Sequence, residues 1–117
     1  MPENKQKSLK VDVGFYKLLL WRQGSIRTIM ESKSEADLNK YFEPEFHLTS
    51  DMYQQLVSHL EEEMLSMRDD LVKSCRESLE APDEEDTPEE LQATKAYMEK
   101  LLGMTARELG IQFFHNT

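Results

Sequence analysis

Thirty consecutive residues, 50–79, contain neither glycine nor proline, and this stretch constrains the fold more than any other. At 100° per residue, Tyr53, Leu56, Val57, Leu60, Met64, Met67, Leu71 and Cys75 fall on one stripe. Leu65, Val72 and Leu79 widen it, while Glu62, Asp69, Lys73 and Arg76 lie opposite. Thr49 or Ser50 can cap the start, and Asp51 suits the positive end of a helix. A helix of that length is a rod of roughly 45 Å, whereas a compact domain of this size is roughly 27 Å across. Either one end projects or a second chain covers it. If the stripe is core, Leu60→Ala and Leu71→Ala should each cost about 2–5 kcal/mol.

The remaining segments also read as helix. Asp12 is a plausible N-cap, and Phe15, Leu18, Leu19, Ile26, Ile29 and Met30 recur at spacings of three and four, predicting an N-terminal helix over about 12–31. Gly24 marks a bend or break. Leu9, Val11, Val13 and Phe15 alternate as a strand would, but the run Leu18-Leu19-Leu20-Trp21 does not, which favours helix. Ser34 can cap a short helix over about 34–42 that stops before Pro44. Phe42, Phe46 and Leu48 then lie in a connector too apolar to be free. Thr87-Pro88-Glu89-Glu90 combines a cap, a proline at the first helical position and a glutamate three residues after the cap. It opens a helix over about 88–102, with Leu91, Met98 and Leu102 inward, Tyr97 and Leu101 beside them, and Gly103 at its end. Thr105 and Glu108 repeat the device for a short helix ending at Gly110. The expected fold is all-α: a small bundle built on a long antiparallel hairpin, 50–79 with 88–102. Residues 1–10 are expected to form a flexible basic arm, and 11–117 a single helical domain with an exposed acidic turn at 80–87.

Charge divides the functional possibilities. The 14 Lys and Arg face 23 Asp and Glu, a formal net charge of −9. Residues 1–30 hold six bases against two acids, so the rest of the chain carries −13. Between Glu80 and Glu90 stand seven acids and no base. Such a surface repels phosphate backbones, which disfavours direct nucleic-acid binding. The run 104–111 resembles the opening half of a helix-turn-helix, a threonine-started helix ending in glycine and a small apolar residue. That motif needs a recognition helix next, yet the six residues after Ile111 include Phe113 and Phe114 and no Lys or Arg. DNA reading is therefore not expected. No apolar run approaches the roughly 18 residues of a membrane span, and the polar start lacks a signal-peptide core. A cytoplasmic location is expected.

Chemistry is sparsely represented. Cys75 is the one cysteine, placed on the inner stripe, where thiols are usually inert. His59 and Glu63 share a helix edge at i,i+4 but lack partners for a metal site, and His47 and His115 lie in connectors. There is no nucleophile elbow or phosphate-cradling glycine loop. No catalytic, cofactor or metal residue is expected. The leading expectation is a non-catalytic protein-binding module (an assembly factor, adaptor, chaperone-like protein or regulator) that presents an apolar helical surface rimmed by acids to another protein, one with a basic surface, or to a second copy. Its candidate contacts are the aromatic rings of Tyr16, Trp21 and Tyr97 and the adaptable thioethers of Met64, Met67 and Met98. The candidate acidic rim is Glu61, Glu62, Glu63, Asp83, Glu84, Glu85 and Asp86. The alternative is an inhibitor that imitates nucleic-acid charge and occupies a DNA- or RNA-binding protein.

Overall fold

The structure, a computed structural model, describes residues 10–114. Among these it has six α-helices and no strand: α1 (Val13–Leu19), α2 (Ser25–Glu31), α3 (Glu35–Asn39), α4 (Ser50–Glu80), α5 (Pro88–Leu102) and α6 (Ala106–Phe113). Two single 3-10 turns, Trp21–Gln23 and Pro44–Phe46, interrupt the first half. Most of the arm expected over residues 1–10 lies outside the described residues. Lys10 is described and is anchored: its backbone N–H donates to Gln55 Oε1 at 2.7 Å and its ammonium lies 3.4 Å from Asp51.

Local signals explain most boundaries. Asp12 Oδ1 accepts the Phe15 N–H at 3.1 Å and starts α1. The helix expected over 12–31 is broken in two, because Gly24 takes a left-handed conformation with φ 76°, which glycine reaches without steric cost. The helix expected over 34–42 ends at Asn39. Ser34 makes no side-chain cap there; Asp37 instead accepts the Lys33 N–H at 2.7 Å, three positions inside the helix. Thr49 Oγ1 accepts the Met52 N–H at 3.1 Å to open α4. Both capping boxes form, Thr87 with Glu90 and Thr105 with Glu108.

The core is concentrated at one end. Tyr53, Leu56, Val57, Leu60 and Met64 of α4 are buried with Leu20, Ile29, Met30, Leu38, Leu101 and Leu109. The connector closes this head from one side: Phe42 packs on Tyr16 and Phe46 on Phe15, at ring separations of 5.3 Å. Asn39 fastens it by exchanging two hydrogen bonds with the Leu48 backbone, at 2.7 and 3.1 Å. At the centre α6 crosses α2 and α4. Arg107 donates to the carbonyls of Met30 and Ser32 at 3.1 and 2.5 Å and lies 3.6 Å from Glu61. It thereby satisfies acceptors at the C-terminal end of α2 that no helical N–H reaches. Ser32, also buried, shares a 2.7 Å hydrogen bond with the Tyr53 hydroxyl.

Beyond Met64 the picture changes. Only Val72 of α4 is fully buried there, with Leu65, Leu71, Cys75 and Leu79 half-buried. After the turn at 81–87, α5 packs back on α4 and brings Leu101 into the core. The inner positions of α5 are Leu91, Thr94, Met98 and Leu101; Leu102, expected inside, is 45% exposed. One end of α4 therefore projects as an arm. The chain measures 58 × 40 × 20 Å with a radius of gyration of 18.0 Å, against about 13 Å for a compact domain of this length.

The expected end of α6 at Gly110 is also corrected, since the helix continues to Phe113. Gly110 is there for proximity: a Cβ at that position would collide with Met30 Cγ and stand 3.1 Å from its Sδ. Gly110→Ala should destabilise the protein by about 1–3 kcal/mol in denaturant unfolding, although alanine is the better helix former. Leu60→Ala should cost about 2–5 kcal/mol. Half-buried Leu71 should cost less than half as much when truncated, contrary to the equal losses that periodicity alone predicts.

Candidate functional site

The candidate site residues separate into core and surface. Tyr16 and Met64 are buried and cannot anchor a partner; Tyr16 donates its hydroxyl to the Phe46 carbonyl at 2.9 Å, and Met64 fills the core where α4 leaves the head. Periodicity marked Met64 as an apolar helix position without distinguishing an occupied face from a free one, and Tyr16 stands out in the sequence only as an aromatic ring. Met98 is half-buried against the same core. Trp21 is 63% exposed, with the Arg22 guanidinium 5.1 Å from its ring centroid. Met67 and Tyr97 are 38% and 39% exposed.

Met67 lies on a defined strip. At 100° per residue it falls, with Leu71, on the line of α4 that Leu60 and Met64 occupy inside the head. The stripe covered by neighbouring helices up to Met64 thus continues past the edge of the head. Glu63, Asp70 and Glu77, spaced by seven, run along its outer edge, and Asp70 and Glu77 are exposed. Of the expected acidic rim, Glu61 is taken up by Arg107, Glu62 is exposed, and Glu63 lies 3.1 Å from His59 Nε2. The arm is strongly acidic: residues 65–90 hold ten acids against Arg68, Lys73 and Arg76, a balance of −7.

At its tip Asp83 and Asp86 are bonded reciprocally. The Asp83 N–H donates to Asp86 Oδ2 at 2.8 Å, and the Asp86 N–H donates to the Asp83 carbonyl at 3.1 Å. Glu84 and Glu85 stand exposed at the apex of this turn.

Two concavities lie on the surface among the described residues. Tyr97 and Lys100 of α5 with Glu108, Ile111, Gln112 and Phe113 of α6 line an open groove of about 610 Å³. Arg22, Arg27, Glu31, Asp37, Lys40 and Tyr41 are among the residues around a second, more polar pocket of about 530 Å³. Sequence reasoning missed this pocket and the exposure of Leu18 and Tyr41. Its cations, Arg22, Arg27 and Lys40, are spread along the chain and are gathered by the break at Gly24 and the turn between α2 and α3. Among the described residues, no group of three His, Cys, Asp or Glu side chains is placed to hold a metal ion, and no helix is long and apolar enough to cross a membrane. No protein-family model matches the chain, and no curated protein or solved structure matches it.

The Tyr16 phenol is pushed above its ordinary value by burial, which disfavours the phenolate. The folded chain therefore prefers the neutral form. Stability from this group is complete below pH about 10 and is lost as the pH rises through the raised folded value. Tyr16→Phe should remove that alkaline loss in urea unfolding followed from pH 8 to 11. At neutral pH it should cost about 1 kcal/mol for the hydrogen bond to Phe46.

Proposed function

We propose that the protein is a non-catalytic binding module whose arm, read as an antiparallel hairpin of α4 and α5, receives a helix from another protein. The observation that carries this reading is the Met67–Leu71 strip: an apolar stripe that is core inside the head, runs on along α4 with Met67 exposed and Leu71 half-buried, and is edged by Glu63, Asp70 and Glu77. The fitting occupant is an amphipathic helix with apolar residues at i, i+3 and i+4 and lysine or arginine on its flank. Apolar burial supplies affinity, methionine adapts to the shape presented, and the acidic edge steers basic partners while repelling acidic ones. A cytoplasmic setting fits the single cysteine and the exposed, highly charged arm.

A second reading has one observation in its favour: the −7 balance of residues 65–90 is drawn out along a projecting rod, as charge is along a nucleic-acid strand. On that reading the arm would occupy the groove of a nucleic-acid-binding protein.

A photo-crosslinking residue at position 67 in native extract should capture a partner that the same residue at exposed Gln92 does not. With that partner purified, Met67→Asp should weaken binding at least tenfold, and affinity should change little between about 0.05 and 0.5 M salt. Equal capture at both positions would end the apolar-docking reading. Affinity that collapses with salt and is competed by DNA would establish the charge mimic in its place.

A further inference from the structure

The head and the tip of the arm carry complementary features that cannot meet within one molecule. In the head, Arg22 and Lys40 border the pocket of about 530 Å³, and among the described residues neither has a carboxylate within 4.0 Å. Each is held against an aromatic ring instead, Arg22 over Trp21 at 5.1 Å and Lys40 over Tyr41 at 5.5 Å. The two acids of the pocket are already engaged. Glu31 lies 3.9 Å from Arg27, and Asp37 accepts the Lys33 N–H.

At the tip, the reciprocal Asp83–Asp86 bonds and the Thr87–Glu90 capping box hold Glu84 and Glu85 on a turn that is ordered before any contact, which lowers the entropic cost of docking. The acids there also oppose local helix electrostatics. Glu77 and Glu80 occupy the last turn of α4, which has no base, at the negative end of the helix. Residues that break a local rule are commonly kept for function. Ser32, on the pocket wall, bonds to Tyr53 of α4, and the end of that helix at Glu80 lies about 40 Å further along. Its own pocket is out of reach.

We propose that two copies of the chain pair antiparallel, with Glu84 and Glu85 of each seated between Arg22 and Lys40 of the other. The two-fold arrangement makes each contact twice and closes on itself. A net charge of −9 on each copy does not prevent it: the Debye length at physiological salt is about 8 Å, short against a 58 Å molecule, so each end responds to its local neighbour. This contact is separate from the Met67 face, and either can fail without the other.

Sedimentation equilibrium of the full chain tests it. At about 0.05 M salt the wild type should show twice its 13.7 kDa, falling toward 13.7 kDa near 0.5 M as the pairs are screened. The tip variant Glu84→Lys/Glu85→Lys and the pocket variant Arg22→Glu/Lys40→Glu each alter exposed side chains only. With wild-type circular dichroism and melting, each alone should be monomeric. Their equimolar mixture should recover the dimer mass, because every reversed tip then meets a reversed pocket and every native tip a native one. A monomeric wild type, a dimer that survives in both variants, or a mixture that stays monomeric would each overturn the proposal. So would a dimer abolished by Met67→Asp yet intact in both charge variants, since self-association would then lie on the arm face.

Discussion

Thirty-one residues of unbroken helix rise about 46 Å, and among the described residues no other element is long enough to cover that length. Nearly everything else follows from this inequality. α6, α2 and α5 pack against α4, and its fully buried residues gather up to Met64, with Val72 the one beyond it. A single neighbouring helix covers one side of a cylinder. The opposite flank keeps its apolar residues in water unless another chain arrives, and the cost of exposing Met67 and part of Leu71 is set against the rigidity of an uninterrupted rod.

The head withstands this asymmetry because its junction is tight where it is small. Gly110 lets α6 approach Met30 without an intervening side chain, and Arg107 closes the end of α2 while reaching Glu61 of α4. Charge and packing cooperate there. The guanidinium satisfies carbonyls that the helix end leaves open, and its pairing with Glu61 draws one acid of the triplet 61–63 out of the surface array. The C-terminal helix thus acts as a bolt through the fold, and its short length still brings Leu109 to full burial.

Legibility from sequence tracked how local each determinant is. The start of α4, the two threonine capping boxes and the break at Gly24 are written in three or four adjacent residues, and each was readable. The stripe of α4 was readable as a stripe, but its division at Met64 was not: where coverage stops depends on how far α6 and α2 extend over it, which is a tertiary property. The same limit explains Met64, which shares the stripe of α4 with exposed Met67 and differs in what the fold lays over it. Leu101 and Leu102 exchange roles for a related reason. Adjacent leucines on α5 differ by 100° of rotation, and the angle of approach to α4 decides which turns inward. The end of α6 was misplaced because glycine signals both a helix stop and a close crossing, and only the position of Met30 distinguishes them.

The exposed features share a pattern that the core does not. Inside the head, burial, hydrogen bonding and charge agree: the Ser32 and Tyr53 hydroxyls meet, Asn39 completes the Leu48 backbone, and Arg107 finds carbonyls and a carboxylate. Along the arm they disagree. Met67 is exposed while its stripe neighbour Met64 is core, acids crowd the negative end of a helix, and the turn carries four successive acids held in a fixed shape. Solubility alone would be served by acids distributed anywhere on the surface, with no need for an ordered tip or an apolar line beside the charged one. Placing both on a rod that leaves the body of the molecule suits association with another chain, whether a partner helix along the strip or a second copy at the tip. On the two proposals the strip is the apolar contact and the charged ends are the orienting one.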